Sequence, residues 1–253
     1  MLSRRMEHLL REKKHSFVGY VTAGYPTRED SLCIMQKCCE AGVDILEVGF
    51  PAKDPSFDGE VIRAAQEQVD KALAADVSYW RELRNAVDVP IWLMGYRADL
   101  MQEDIYLTLA CEGLYDALVI PDITEEERRQ LAALLEPYRV SVLGFINPVQ
   151  SNAEMEAVAA KADLIYHQLY CGPTGVAHDD DSYLSVFNRA RELSQAKLYA
   201  GFGISTPERA HQLLRSGYDG VIVGSAIMKL LLHDEEAAYQ FIRTIQQTVR
   251  SVD

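Results

Sequence analysis

A short apolar strand followed by an amphipathic helix recurs eight times in this 253-residue sequence, which predicts a closed (β/α)8 barrel, the TIM-barrel fold. The length suits one large α/β barrel, and no linker or break in composition divides residues 1–253. An open, doubly wound sheet has the same alternation of strands and helices and is the competing fold. The number of units and the chain length favour the barrel, so we expect a single barrel domain.

The predicted strands lie at residues 17–21, 43–48, 89–94, 116–120, 140–145, 163–169, 197–201 and 219–223. The predicted helices between them include residues 28–41, 61–74, 125–135, 153–160, 183–194 and 206–216. Polar or glycine-rich loops follow several of these strands at their carboxyl ends. Barrel enzymes build their active sites on that face, so we expect the functional residues there.

The composition excludes some classes of partner. The formal net charge is -13 and the pI is near 4.9, so nucleic acid and an anionic membrane surface would both be repelled at long range. A small phosphorylated substrate needs only a local set of donors and remains compatible with this charge. The sequence has no apolar run of membrane-spanning length and no secretory signal at its start. Its five cysteines, an odd number, are typical of a reduced cytoplasmic protein.

Glu47 and Asp58 are the candidate acid–base pair. Alternation along the second strand places Glu47 on the side opposite to Leu46 and Val48. A helix-packed outer face favours the two apolar residues, so Glu47 is predicted to point into the barrel near its carboxyl end. Burial there would raise the pKa of the carboxyl toward the range useful for moving protons near neutrality. Asp58 lies in the loop that leaves the same strand, and two carboxyls in one unit can take two roles at one substrate.

The loops after the seventh and eighth predicted strands resemble a phosphate site. Gly201 and Gly203 follow the seventh strand, and Gly224 and Ser225 follow the eighth. Glycine lets backbone N–H groups approach a phosphate closely, and Ser225 is placed to open a short helix whose first N–H groups are free. Barrels commonly bind phosphate after these two strands. The pairing therefore indicates a phosphorylated ligand.

The sixth strand carries Tyr166 and His167, which must face opposite sides. We predict that Tyr166 faces the barrel interior as a hydroxyl donor and that His167 is a packing residue. The strand has no lysine, and Lys197 lies at the start of the seventh strand, so a Schiff-base mechanism loses support. The remaining histidines are scattered, which disfavours a catalytic metal. We expect neither a metal nor another cofactor.

Several motifs, in this order, resemble the tryptophan synthase alpha subunit family over nearly the whole chain. They are residues 20–26 (YVTAGYP), 46–51 (LEVGFP), 54–55 (DP), 58–59 (DG), 120–122 (IPD), 172–175 (GPTG), 201–205 (GFGIS) and 224–227 (GSAI). The resemblance implies cleavage of indole-3-glycerol phosphate to indole and glyceraldehyde 3-phosphate without a cofactor. Protonating the ring carbon makes the indole an electron sink, so this retro-aldol step needs neither lysine nor metal.

The resemblance also implies roles for single residues. Glu47 would protonate the ring carbon and remove the side-chain hydroxyl proton, and Asp58 would accept a hydrogen bond from the ring N–H. Tyr166 would line the pocket beside Glu47. Tyr20 would contact the indole, and Gly175, Gly203, Gly224 and Ser225 would hold the phosphate. Tyr96 and Thr174 are the further substrate-binding residues implied.

The sequence departs from the family pattern in the loops after the second and third strands. Ala52 and Lys53 stand where the family has Phe and Ser, and Arg97 and Ala98 fall in the third-strand loop. In the family these loops face the beta subunit, so the resemblance implies a beta-subunit partner but leaves its docking open. Two alternatives stay open with it. One is a diverged barrel that acts alone or on another phosphorylated substrate, and the other is a non-catalytic partner barrel.

Overall fold

The computed structural model describes residues 1–170 and 183–252, and it forms one parallel sheet wrapped into a barrel. The strands are β1 (Ser16–Thr22), β2 (Ile45–Gly49), β3 (Ile91–Met94), β4 (Ala117–Val119), β5 (Ser141–Val142), β6 (Gly144–Ile146), β7 (Leu164–Gln168), β8 (Lys197–Gly201) and β9 (Gly220–Val223). Their order in the sheet is β5-β4-β3-β2-β1-β9-β8-β7-β6. All eight predicted strands are present, and the predicted (β/α)8 barrel is confirmed.

The sheet closes through a single extended segment. β5 and β6 stand at the two ends of the strand order, yet only Leu143 separates them in the chain. β5 pairs with β4, β6 pairs with β7, and the N–H of Leu143 donates to the carbonyl of Leu118 at 2.9 Å. The fifth predicted strand is thus divided into two short strands, of which the first pairs with β4 and the second with β7. We call this segment, residues 141–146, the barrel seam.

Helices cover the outside of the barrel. They are α1 (Arg4–Glu12), α2 (Arg28–Ala41), α3 (Glu60–Gln68), α4 (Val77–Ala86), α5 (Arg97–Leu100), α6 (Ile105–Cys111), α7 (Glu125–Leu135), α8 (Asn152–Ala159), α9 (Tyr183–Leu193), α10 (Pro207–Arg215), α11 (Ser225–Leu231) and α12 (Glu235–Arg250). Short 3-10 helices occupy Lys71–Ala75, Gln102–Asp104 and Glu136–Tyr138. Within residues 1–170 and 183–252, no helix combines the length and the apolar character needed to cross a membrane.

The prediction of one continuous helix over residues 61–74 is wrong. α3 ends at Gln68 because Val69 adopts an extended backbone, and a separate 3-10 helix begins after Asp70. The Asp70 side chain accepts a hydrogen bond from the N–H of Ala72 at 2.9 Å, which caps this new turn. An aspartate in the middle of an amphipathic pattern therefore marks a second helix start.

Large side chains fill the interior and close one end of the barrel. Trp92 of β3 meets Tyr199 of β8 edge to face, with ring centroids 4.9 Å apart, and neither ring is exposed to solvent. Met6 and Leu9 of α1 belong to the same interior cluster, so α1 covers the amino-terminal end of the strands. The opposite end, at the carboxyl ends of the strands, is where a cavity remains.

Candidate active site

A cavity of about 1230 Å³ lies at the carboxyl-terminal end of the barrel. The three predicted catalytic residues, Glu47, Asp58 and Tyr166, all line it. The predicted substrate-binding residues that line it as well are Tyr20, Tyr96, Gly203, Gly224 and Ser225. Thr174 and Gly175 lie outside the described residues. The structure thus brings together, around one cavity, every predicted site residue that it describes.

Glu47 is buried in the wall of the cavity with little compensation. Its neighbours Leu46 and Val48 pack into the outer core, so the alternation of β2 turns Glu47 inward, and its residue is only 3% exposed. The Oε1 atom has no hydrogen-bond partner among the residues that the structure describes. Burial raises the pKa of Glu47 to about 8, because the charged form loses its hydration without gaining a partner. Such a carboxyl can both give and take a proton near neutral pH.

Asp58 is buried nearby but has a defined partner. The hydroxyl of Tyr96 donates to its Oδ1 at 2.7 Å, which joins the loop after β2 to the loop after β3. Burial raises the pKa of Asp58, the hydrogen bond from Tyr96 opposes that rise, and the charge of Asp99 adds to it. Asp58 and Glu47 therefore sit in different environments within one cavity, which is the condition for two carboxyls to take different roles.

Aromatic side chains form part of the wall of the cavity that Glu47 and Asp58 also line. Tyr166 stacks on Phe145 at 5.1 Å and meets Phe202 edge to face at 6.2 Å. On the other side, the Tyr20 hydroxyl accepts a weak hydrogen bond from Thr22 at 3.4 Å. Burial, with the nearby carboxylates, raises the pKa of both tyrosines, so both hydroxyls stay protonated and can donate. The cavity is therefore apolar on its faces, with hydroxyl donors at its edges.

Two glycines make room for these tyrosines. A methyl group on Gly49 would lie 2.0 Å from the Tyr20 hydroxyl oxygen, and one on Gly201 would lie 2.4 Å from the Tyr166 ring. Tyr20 is paired in the sheet register with Glu47, and Gly49 lies two residues after that partner. Tyr166 is paired in the same way with Tyr199, and Gly201 lies two residues after it. Each tyrosine thus leans toward the carboxyl end of its neighbouring strand, over a position where only hydrogen fits.

Glycine-rich loops form one side of the cavity. Phe202 and Gly203 after β8 both have positive φ, 72° and 74°, so the loop turns sharply and presents its backbone to the cavity. Gly224 precedes α11, which begins at Ser225, and both residues line the same space. The first N–H groups of a helix have no acceptor within it and favour an anion. β8 and β9 are paired neighbours, so the two loops lie side by side, as the sequence predicted.

Gln66 is a structural residue of the site that the sequence analysis missed. Although only 2% exposed, it donates from Nε2 to the carbonyl of Phe50 at 2.9 Å and accepts at Oε1 from the N–H of Ala52 at 3.1 Å. This side chain fixes the start of the loop that carries Asp58. The sequence could have indicated this role, because Gln66 lies one helical turn after Ile62 on the apolar face of α3. A buried amide at such a position is costly unless it has hydrogen-bond partners.

The loops that depart from the family pattern are held by contacts within the chain. The N–H of Lys53 donates to Asp99 Oδ1 at 3.0 Å, and its ammonium bonds to Gln102. Arg97 pairs with Glu127 at 3.0 Å. Ala52 is buried and Ala98 is exposed. The substituted loops are therefore tied to the barrel by their own side chains.

The remaining sequence candidates lie elsewhere. His167 faces outward and its Nδ1 lies 2.7 Å from the Tyr218 hydroxyl, while burial lowers its pKa to about 3 and keeps it neutral. Lys197 pairs with Asp219 at 2.8 Å at the amino-terminal end of the barrel. Across the described part of the chain, no group of three His, Cys, Asp or Glu residues could hold a metal ion.

Fold and site together define a (β/α)8 barrel whose open end combines two buried carboxyls, aromatic walls and paired glycine loops. The family model described as tryptophan synthase alpha chain matches residues 6–253, and the chain belongs to this family. The tryptophan synthase alpha chain of Dehalococcoides mccartyi is 32% identical over 249 residues, covering 94% of this chain and 96% of that protein. The corresponding chain of Halalkalibacterium halodurans is 32% identical over 241 residues, covering 91% and 90%.

Solved structures agree with this assignment. Tryptophan synthase subunit alpha from Legionella pneumophila superposes with a TM-score of 0.81 at 26% identity, covering 98% of this chain and 97% of that one. A chain of tryptophan synthase from Mycobacterium tuberculosis has the same fold, with a TM-score of 0.85 at 23% identity and 99% of each chain covered.

Proposed function

We propose that this protein is a lyase that cleaves indole-3-glycerol phosphate to indole and glyceraldehyde 3-phosphate, the alpha reaction of tryptophan biosynthesis. The observation that carries the proposal is the buried Glu47, with its pKa near 8, in a cavity that also holds aromatic walls and paired glycine loops. Membership of the tryptophan synthase alpha chain family supports the same reaction.

The proposed chemistry needs one proton donor and one proton acceptor, and Glu47 takes both roles. The protonated carboxyl gives its proton to C3 of the indole ring, which leaves a positive charge on the ring nitrogen. The bond from C3 to the side chain then breaks, its electrons return to the ring, and the adjacent hydroxyl becomes the aldehyde as its proton passes to Glu47. Protons balance, and the carboxyl ends in its starting state.

Asp58 takes the complementary electrostatic role. Asp58 lines the same cavity as Glu47, which suits a carboxylate that accepts a hydrogen bond from the ring N–H and offsets the charge that develops on the nitrogen. The hydrogen bond from Tyr96 counteracts the effect of burial and favours the ionised form that this role requires. Tyr20 and Tyr166 would hold the ring between them, with apolar contact from Phe145.

The phosphate of the substrate would lie against the loops after β8 and β9. We propose that the backbone of Gly203 and Gly224 and the start of α11 at Ser225 bind it, together with Thr174 and Gly175, which follow β7 in the sequence. Placing the phosphate there leaves the indole end of the substrate near Glu47, because Gly203, Gly224, Ser225 and Glu47 border one continuous cavity.

We further propose a tryptophan synthase beta subunit as the partner that consumes the indole. It would dock on the open end of the barrel, where the loops after β2 and β3 lie and where Phe57 is 69% exposed. Lys53 and Arg97 make their contacts within the chain, which also suits a lyase that works alone. The two cases differ in whether a beta subunit changes the rate.

Indole release from indole-3-glycerol phosphate by the purified chain, with and without the beta subunit from the same source, tests the proposal. A rate that rises sharply with the beta subunit supports the complex, and an unchanged rate supports a stand-alone lyase. Absence of indole under both conditions would reject this substrate.

A further inference from the structure

The charge inside the cavity is unfavourable for a phosphorylated substrate. Glu47, Asp58, Glu60 and Asp122 all line it, and Lys229 is the single lysine or arginine among the described lining residues. The protein as a whole carries a net charge of -13. A phosphate dianion that enters this space therefore meets the carboxylates of Asp58, Glu60 and Asp122, although the glycine loops offer it N–H donors.

Lys229 is positioned to offset that repulsion. It lies four residues after Ser225 in α11, so both residues are on one face of the helix. Side chains on a helix lean toward its amino-terminal end, which directs the lysine along the helix toward Ser225. Lys229 is exposed and makes no ion pair or hydrogen bond with any residue in the described ranges.

We propose that Lys229 is a substrate-binding residue that pairs with the phosphate dianion held by the loops after β8 and β9. The inference rests on the proposed function for the identity of the substrate, but its ligand class is any small phosphate monoester. The backbone donors fix the position of the phosphate, and the ammonium supplies the charge that a backbone cradle lacks. Capture of the substrate should then weaken as ionic strength rises.

Steady-state cleavage by Lys229→Ala, Lys229→Arg and a matched control tests the pairing. Lys161→Ala serves as the control, because Lys161 is an exposed lysine after α8, at the other end of the barrel. We expect Lys229→Ala to raise KM about tenfold, or ~1.4 kcal/mol, with kcat within about twofold of wild type. Lys229→Arg should keep KM near wild type, and Lys161→Ala should change neither constant.

A salt series separates a charge effect from a structural one. KM of the wild type should rise between low and high ionic strength, whereas KM of Lys229→Ala should rise much less. A KM for Lys229→Ala equal to that of wild type, with the same salt dependence, would overturn the inference while leaving the lyase proposal in place.

Binding of glycerol 3-phosphate, measured by calorimetry, provides a readout that needs no turnover. Weaker binding by Lys229→Ala, but not by Lys161→Ala, supports the pairing even if indole-3-glycerol phosphate is not cleaved, in which case the proposed function alone fails. Equal binding by all variants rejects the role of Lys229.

Discussion

A single carboxyl, Glu47, links the chemistry of this protein to its stability. Alternation along β2 predicted from the sequence that this residue faces inward, and the structure places it there at 3% exposure. The sequence could not show that Oε1 has no partner among the described residues, because this depends on side chains from other strands that surround it. A buried carboxyl without a partner is costly when ionised, and this cost is what raises its pKa.

Glu47→Gln should abolish indole release while the protein stays folded. The amide has nearly the same shape but neither donates a proton to carbon nor accepts one from the hydroxyl. The loss should exceed about 10²-fold, the lower end of general acid–base contributions. Indole formation and circular dichroism of both proteins are the measurements, and substantial residual turnover would exclude Glu47 from the proton transfer.

The same substitution should change how stability depends on pH. The folded pKa of Glu47 is about 8 and its ordinary value is 4.5, so between these values the folded chain holds a proton that the unfolded chain has released. The contribution of Glu47 to the free energy of unfolding is therefore greatest below pH 4.5. It falls as the pH rises from 4.5 through 8, by up to about 1.4 kcal/mol per pH unit. The Glu47→Gln variant lacks this pH dependence, because glutamine does not titrate.

Urea unfolding of both proteins at intervals from pH 5 to 9 checks this. The stability of Glu47→Gln relative to wild type should increase up to about pH 8 and then stay constant. Groups common to both proteins cancel in the difference. A difference that does not change with pH would mean that the folded pKa of Glu47 is unshifted.

Asp58→Asn should lower kcat and leave the fold intact. The amide cannot offset a positive charge on the ring nitrogen, and its NH2 group competes with the ring N–H as a donor. Because Tyr96 donates to Asp58, Tyr96→Phe should reproduce part of the loss by raising the pKa of Asp58. Indole release by the two variants is the measurement, and an unaffected rate in Asp58→Asn would remove this residue from the site.

At the scale of elements, pairs of adjacent strands shape the cavity. Tyr20 and Tyr166 each lean over a glycine of the next strand, Gly49 and Gly201. The same arrangement on β1–β2 and on β7–β8 places an aromatic ring on two sides of the space above Glu47. The glycines were visible in the sequence, but the contact was not, because it depends on the register of parallel strands.

Gly49→Ala tests this packing. The added methyl group would lie 2.0 Å from the Tyr20 hydroxyl oxygen, and since Tyr20 is only 4% exposed its ring must move into the cavity. We expect kcat/KM to fall by about 10²-fold, the loss typical of a misplaced binding surface. Gly113→Ala is the control, because no atom lies within 4 Å of its added methyl. That variant should lose stability through its positive φ but keep its turnover, whereas equal losses in both would indicate a general effect of backbone strain.

Local sequence signals predicted some elements well and failed at others. α2 and α7 have the predicted bounds because Thr27 and Thr124 cap their first turns through N–H groups at Asp30 and Glu127. The apolar periodicity predicted one helix over residues 61–74, but that segment is divided because Asp70 caps a new helical turn. The fifth strand changes partners at Leu143, which no local pattern shows.

At the scale of the whole molecule, we propose that residues 1–253 form one domain. Trp92 and Tyr199 meet in the interior although their strands lie apart in the sheet, so packing crosses the barrel as well as following its wall. The alternation of predicted strands and helices, the number of these units and the chain length predicted the architecture from the sequence alone. The identity of the interior contacts required the closed structure.

Unfolding should therefore be a single transition. We expect tryptophan fluorescence and far-ultraviolet circular dichroism to give the same midpoint in urea. Trp92→Ala should lower the free energy of unfolding by about 3–5 kcal/mol, because a large buried ring leaves a cavity. Transitions that separate by probe would indicate two independently folding parts.

The barrel seam is the part of the sheet where we expect local opening to begin. β5 pairs with β4 at two register positions and β6 pairs with β7 at three, whereas β1 and β2 pair at five. In the strand order, β1 lies farthest from the barrel seam. Amide protons at residues 141–146 should therefore exchange with solvent sooner than those of β1 and β2. Such opening would loosen the side of the cavity formed by Phe145 while Glu47 and the glycine loops keep their positions, so a flat ring could enter or leave while its anionic tail stays anchored.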